Sequence, residues 1–337
     1  MRKILFPAFY ALSLIYGGIA TAWRQLPTRP WRPGVPIISV GSIIAGGTGK
    51  TPLCILVARM LAGSGHKVCV ISRGYMRKSR RSPLVVSDGR QILAGVGEAG
   101  DEPYLLAGRL RGVQVIVDAN RARAVAAALS GERPDVFVLD DGFQTRSVVK
   151  DLELVCLDAQ SVLERQFFLP LGRLRESRGS IKPGHVIVLK LEQDERKPDA
   201  SSLGPLAAWP VFVARRQAPV LIDSEGGRVE AGANAERCLI LSGIARPEGF
   251  EESCVRAGLE AAASLRVDDH HWYSEKDATE ILGLMERHAC RKLVTTEKDF
   301  HRLPDALRAR ALVLIDSLAV EEPERFSELL EKHAGRR

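Results

Sequence analysis

The stretch IISVGSIIAGGTGKTPL (37–53) decides the fold. Ile37–Val40 is a short apolar run that reads as a buried strand, and an apolar-periodic helix follows from Leu53 to Leu61. Between them lie Gly46, Gly47, Thr48, Gly49, Lys50 and Thr51. Strand, glycine-rich loop and helix in this order make a phosphate-binding loop. Glycines let successive backbone N–H groups curve around phosphate oxygens, and the helix N-terminus adds positive potential. Lys50 then reaches the β- and γ-phosphates of ATP, and the Thr51 hydroxyl ligates Mg²⁺. The loop is a variant one, because Ile44 stands where the usual spacing places the first glycine.

Working outward, KVCVIS (67–72) reads as a second buried strand, leading into Arg73-Gly74-Tyr75 and the cationic cluster Arg77, Lys78, Arg80 and Arg81. DVFVLDDG (135–142) is an apolar strand ending in two acids. Asp140 is placed to hold Mg²⁺, and Asp141 points elsewhere because strand side chains alternate. Asp101 and Glu102, in GDEP (100–103), precede an apolar helix, where acids serve either as caps or as a catalytic base. Arg173 and Arg175 lie in a Gly/Pro turn as phosphate clamps or surface ion pairs. His270 and His271 have no third metal ligand at helical spacing, and TTEKD (295–299) does not match the guanine-specifying N-K-x-D pattern.

The charge is unevenly spread. Residues 1–87 carry 13 Lys/Arg and no acid, whereas the chain as a whole is only +7, so the basic first part expects a local anionic partner. Ile4–Trp23 is 20 residues without a charge, about 30 Å as a helix at roughly 1.5 Å per residue. A signal peptide, a full membrane span and a plain core helix are its rival readings. The favoured one is an uncleaved helix at the membrane surface, packed partly on the protein, with its basic flanks at anionic head groups. The six scattered cysteines form no C-x-x-C and read as buried thiols in a reducing compartment.

At 337 residues the chain has room for two domains. The expected architecture is α/β: an N-terminal helix and connector (1–33), a P-loop NTPase-like domain (34–208), a β-hairpin linker (209–225) and a smaller α/β domain (226–337), with a C-terminal helix able to fold back on the first. The hairpin is read from the two apolar runs 209–216 and 218–222.

Taken together, SVGSIIAGGTGKTP (39–52), SRGY (72–75), GDEP (100–103), VLDDGFQ (138–144), LRE (174–176), LSGIARPEGF (241–250), DHH (269–271) and TTEKD (295–299) resemble the tetraacyldisaccharide 4'-kinases, the lipid A 4'-kinases of Gram-negative bacteria. The resemblance implies transfer of the ATP γ-phosphoryl group to the 4'-hydroxyl of tetraacyldisaccharide 1-phosphate, giving lipid IVA. It also implies Mg²⁺ dependence and work at the cytoplasmic face of the inner membrane. Asp101 matches the family's catalytic base and His270 its dyad partner. Lys50, Thr51 and Asp140 match phosphate and Mg²⁺ positions, and Tyr75, Glu102, Asp141 and Arg175 match further active-site positions. This sequence departs from the usual family residues at Ser42 (Asn), Met76 (Gly), Thr145 (His) and Arg173 (Pro). ATP, the lipid and an anionic membrane surface are the expected partners, with no nucleic acid and no obligate protein partner. A membrane-associated switch ATPase without a phosphorylated acceptor is the rival enzyme class, and a basic binding module the non-enzymatic one.

Overall fold

The structure, a computed structural model, describes residues 2–163, 166–230, 237–244 and 247–335. The chain forms two compact units, Met1–Arg216 with Leu318–Arg337, and Gln217–Ser317.

The first unit opens with helix α1 (Arg2–Gln25). Its strands are β1 (Ile37–Gly41), β2 (Val68–Ser72), β3 (Leu84–Asp88), β4 (Gln114–Val117), β5 (Val136–Asp140), β6 (Leu152–Asp158), β7 (Val186–Leu191) and β8 (Val211–Arg216). The second unit supplies β9 (Val220–Ile222), β10 (Arg228–Val229), β11 (Cys238–Ser242), β12 (Ala261–Arg266), β13 (Lys292–Thr296) and β14 (Ala311–Ile315); β15 (Leu318–Val320) returns to the first. The large sheet runs β15-β8-β7-β6-β1-β5-β2-β4-β3 and the small one β10-β9-β14-β13-β11-β12. The inner strands of the large sheet, β8-β7-β6-β1-β5-β2-β4 in spatial order, are parallel, and the two edges, β3 and β15, are antiparallel.

A parallel sheet must be covered on both faces, which is why its strands are apolar throughout rather than alternating. Ile38, Val40, Val70 and Val138 pack into one core cluster with Leu53, Val57 and Leu61 of helix α2 (Lys50–Gly63). Ile37, Ile71, Phe137 and Leu139 point to the opposite face, against Ala124, Val125 and Ala128 of the helix Arg121–Leu129. Just past its Ser64 cap, helix α2 is closed off by Gly65, whose φ of 91° only glycine adopts freely; the His66 N–H returns to the Leu61 carbonyl at 3.1 Å. Strand β1 lies between β5 and β6, so the connection after β1 goes to β2 on one side while the connection after β5 crosses to β6 on the other. Such a switch point opens a crevice for ligands.

The expected hairpin at 209–225 does not form. β8 runs parallel to β7 in the large sheet, from Ile187↔Val211 to Leu191↔Arg215. β9 instead joins the small sheet, antiparallel to β14 and β10. Two short apolar runs separated by Gln217 resemble a hairpin locally, but each joins a different sheet. The boundary of the smaller domain moves accordingly to Gln217–Ser317. Helix Pro323–Ala334 belongs to the first unit, where its Phe326 ring packs edge-on to Phe212 at 5.1 Å and is fully buried. Burial of a side chain of that size contributes roughly 1.5–3 kcal/mol. All six cysteines are buried and unpaired.

Helix α1 lays one stripe on the protein. The Ser13 hydroxyl donates to the Phe168 carbonyl at 2.7 Å, Tyr10 meets Phe167 edge-on at 6.1 Å, and a side chain at Gly17 would run into the Phe168 ring. Phe6, Phe9, Leu12, Leu14, Ile15 and Ile19 stay exposed. Residues Phe6–Gln25 are long and apolar enough to cross a membrane.

Candidate active site

The carboxyl ends of β1, β2 and β5 meet at one rim. Beyond β1, Gly46, Gly47 and Gly49 take φ of 65°, 63° and 84°, so the loop needs glycine where the sequence supplies it. Helix α2 begins at Lys50 with no acid in its first turn and no side-chain cap, which leaves its first N–H groups and its dipole for an anion. Thr48 is buried, its hydroxyl without a protein partner. The Ser42 hydroxyl accepts from the Ile44 N–H at 3.0 Å and fixes the loop's entry.

From β5, Asp140 points into the protein and Asp141 out toward the loop. The Ser72 hydroxyl, at the end of β2, donates to Asp140 Oδ2 at 2.9 Å, while Asp140 Oδ1 is buried without a hydrogen-bond partner. Burial, with the charges of Glu102 and Asp141, pushes the Asp140 carboxyl up to about 7 against the opposing Ser72 bond and Lys50. Asp141 lies between two cations, Lys50 Nζ at 3.8 Å and Arg175 Nη1 at 2.8 Å. Burial raises its carboxyl, but Lys50, then Arg175 and Arg121, overcome this and hold it below the ordinary value. Asp141 has φ 47°, a left-handed conformation uncommon outside glycine, and Gly142 follows where a Cβ would strike the Ser39 hydroxyl and Leu139.

SRGY and GDEP meet beside this rim. A Cβ on Gly100 would sit 3.0 Å from the Tyr75 carbonyl, and the Lys78 N–H donates to the Gly97 carbonyl at 2.9 Å. Asp101 is the first residue of the helix Asp101–Arg109, whose N-cap position is Gly100. The cap role open to Asp101 in the sequence is therefore not the one it occupies. Met76 has φ 56°, which accounts physically for the glycine usual in that family position.

The structure thus gathers Lys50, Glu102, Asp140, Asp141 and Arg175 in the first unit. His270 stands in the second, with φ 63° and its N–H on the Gly243 carbonyl at 3.2 Å. Gly243 is fixed in turn by Asp299, whose Oδ2 accepts its N–H at 3.0 Å. TTEKD is therefore an internal tether, consistent with its failure to match the guanine signature.

Several residues at this rim carry no sequence motif. Arg121, the first residue of the helix that follows β4, is buried, and its guanidinium donates to the Asp118 and Ala119 carbonyls at 3.4 and 3.2 Å. Burial lowers its pKa, against the pull of Asp140. A cation just past a strand's carboxyl end is the one signal that marks it. Arg24, at the end of α1, reaches the Phe143 carbonyl (3.1 Å), lies 4.9 Å over the Phe143 ring, and pairs with buried Glu176 at 3.4 Å. The apolar helix is thereby tied to the residues beside Asp141 and Arg175.

The pH dependence of stability follows from Asp140. The unfolded carboxyl titrates near 3.8 and the folded one near 7, so the folded protein holds the proton more tightly. Its cost to folding is absent below the first value and complete above the second. Without divalent cations, Asp140→Asn is expected to melt higher than the native protein at pH 8, by a few degrees, and to lose that advantage at pH 4. Equal melting shifts at both pH values would contradict this.

The tetraacyldisaccharide-1-P 4'-kinase (LpxK) family profile matches residues 5–334. Among relatives named tetraacyldisaccharide 4'-kinase, one from Anaeromyxobacter sp. (strain Fw109-5) is 40% identical over 317 residues, covering 90% of this chain and 84% of its own length. One from Desulfotalea psychrophila is 33% identical over 331 residues, covering 96% and 91%. The crystal structure of LpxK from Aquifex aeolicus in complex with ATP is similar at a TM-score of 0.77 and 27% identity, covering 99% of each chain. A profile match over nearly every residue, joined to the same two-sheet fold, shows that this chain belongs to the tetraacyldisaccharide-1-P 4'-kinase family.

Proposed function

We propose that the chain transfers the γ-phosphoryl group of ATP to the 4'-hydroxyl of tetraacyldisaccharide 1-phosphate, forming lipid IVA at the cytoplasmic face of the inner membrane. The observation that carries this reading is the pairing, at one sheet rim, of an anion-binding loop with two acids in opposed environments. Lys50 and the loop N–H groups hold the phosphates. Asp141, neutralised by Lys50 and Arg175, keeps both cations aimed at the rim. Asp101 accepts the proton of the attacking hydroxyl, and His270 orients or tunes it. Tyr75 and Glu102 support the acceptor side.

Mg²⁺ fits the donors present. Asp140 offers a buried carboxylate oxygen with no protein partner, a group that is costly to leave unpaired, and Thr51 stands in the first turn of α2. When bound, the ion offsets charge on the β- and γ-phosphates. The exposed apolar face of α1 suits a multi-acyl substrate that does not leave the bilayer. A switch ATPase is disfavoured, since Ala45 occupies the place before the paired glycines where that class carries lysine.

The test is transfer of labelled γ-phosphate from ATP to detergent-dispersed tetraacyldisaccharide 1-phosphate by the full chain. A phosphorylated lipid is expected. ATP hydrolysis without a lipid product would support the switch ATPase instead.

A further inference from the structure

The phosphate loop has Ile44 where a glycine would usually open it, so something else must set its shape. The stretch 173–175 runs alongside its entry. Ile44 and Leu174 form an antiparallel bridge, the Ala45 N–H donates to the Arg173 carbonyl at 2.8 Å, and the Arg175 N–H to the Ile43 carbonyl at 2.8 Å. The Arg173 side chain then turns back onto the loop. Its Nε donates to the Ala45 carbonyl at 3.1 Å, and its Nη2 to the Gly46 carbonyl and, at 3.1 Å, to Asp158 Oδ2. Asp158, at the end of β6, is itself locked, because its Oδ1 accepts the Ser161 N–H at 2.7 Å.

We propose that Arg173 is a positioning residue for ATP: anchored on Asp158, it holds the Ala45 and Gly46 carbonyls and thereby aims the next two N–H groups of the phosphate loop. Peptide planarity makes this more than a brace. In a trans peptide the carbonyl and the following N–H point in opposite directions. Fixing the carbonyls of Ala45 and Gly46 on one side therefore turns the N–H groups of Gly46 and Gly47 to the other. These residues are glycines with φ of 65° and 63°, and glycine loses more conformational freedom on ordering than any other residue. Arg173 reaches these acceptors from two nitrogens held in one rigid plane, Nε and Nη2, whereas an ammonium offers its donors from a single atom. Pre-paying that ordering raises affinity for the phosphates. Arg173 acts on the loop backbone, through the Ala45 and Gly46 carbonyls, so its effect belongs in ATP binding rather than in the chemical step.

The inference rests on the reading of 46–51 as the ATP loop, and the experiment separates the two. The probe is a non-hydrolysable ATP analogue with Mg²⁺, titrated calorimetrically into the full chain, beside steady-state kinetics of lipid phosphorylation. Arg173→Ala is expected to weaken analogue binding about ten-fold, the scale of one charge-assisted hydrogen bond, and to raise KM for ATP alike. Its kcat at saturating ATP should stay near native. Arg173→Lys should bind as weakly as Arg173→Ala. Asp158→Asn should weaken binding by itself but add little in the Arg173→Ala background, because both act through one contact. Native affinity in Arg173→Ala, with Lys50→Ala impaired, would overturn the inference; native affinity in both would overturn the loop reading beneath it. Full rescue by Arg173→Lys would show a plain charge effect on phosphate and would equally overturn positioning. If Arg173→Ala does not fold, Arg173→Lys and Asp158→Asn decide: native affinity in both sinks the proposal.

Discussion

Asp101→Asn is expected to lower kcat for lipid phosphorylation by roughly 10²–10⁴-fold, the usual worth of a positioned general base. A sugar hydroxyl is a poor nucleophile, and amide replacement removes the proton acceptor while keeping the side chain's size. Two features make the substitution a clean one. The N-cap position of the helix is Gly100, so the variant loses no cap, only an acid in the first turn, a loss of about 0.3–1 kcal/mol. With 46–51 proposed as the ATP loop, ATP affinity should remain within about two-fold of native, less than a single hydrogen bond to a charged group contributes. His270→Ala should follow the same pattern more weakly, with kcat falling and ATP affinity unchanged. A folded, ATP-binding Asp101→Asn protein that turns over at the native rate would refute the assignment. A loss confined to KM would recast Asp101 as a binding residue.

What could be read from the sequence was local chemistry. The phosphate loop is legible because its backbone demands glycine at 46, 47 and 49, and the demand is written in consecutive residues. Asp140 and Asp141 are legible because an apolar strand ending in acids has few uses. Strand alternation predicts opposed directions for the two acids; in the structure β5 ends at Asp140, Asp141 turns away through a left-handed backbone, and the two carboxyls shift in opposite directions. Sheet order is not local, so nothing in Trp209–Ile222 reveals that β8 and β9 join different sheets. Arginines held by tertiary partners are illegible for a related reason. Arg24, Arg121 and Arg173 resemble solvated arginines until the fold sets them against Glu176, the Asp118 carbonyl and Asp158. Met76 lies between these cases: its departure from glycine is visible in the sequence, but the left-handed backbone that explains it is not.

The second large effect is on stability. Asp299→Ala is expected to destabilise the second unit by about 3–5 kcal/mol, the cost of removing one partner from a buried ion pair. Asp299 is wholly buried and accepts four donors: the Gly243 N–H at 3.0 Å, the Tyr273 hydroxyl at 3.1 Å, the Thr296 hydroxyl at 2.7 Å and Arg302 Nη2 at 2.8 Å. Alanine removes this carboxylate from the Arg302 guanidinium, whose side chain is 1% exposed. It also frees Gly243, whose carbonyl holds the His270 backbone. Urea titration should therefore show an earlier transition for Gln217–Ser317, and amide exchange should rise first in β11 and β13. Replacing both partners, Asp299→Ala with Arg302→Met, should recover part of the loss, because an apolar pair carries no stranded charge. An unchanged urea midpoint in Asp299→Ala would refute the tether. A normal midpoint with reduced kcat would instead move Asp299 from holding the fold to holding His270.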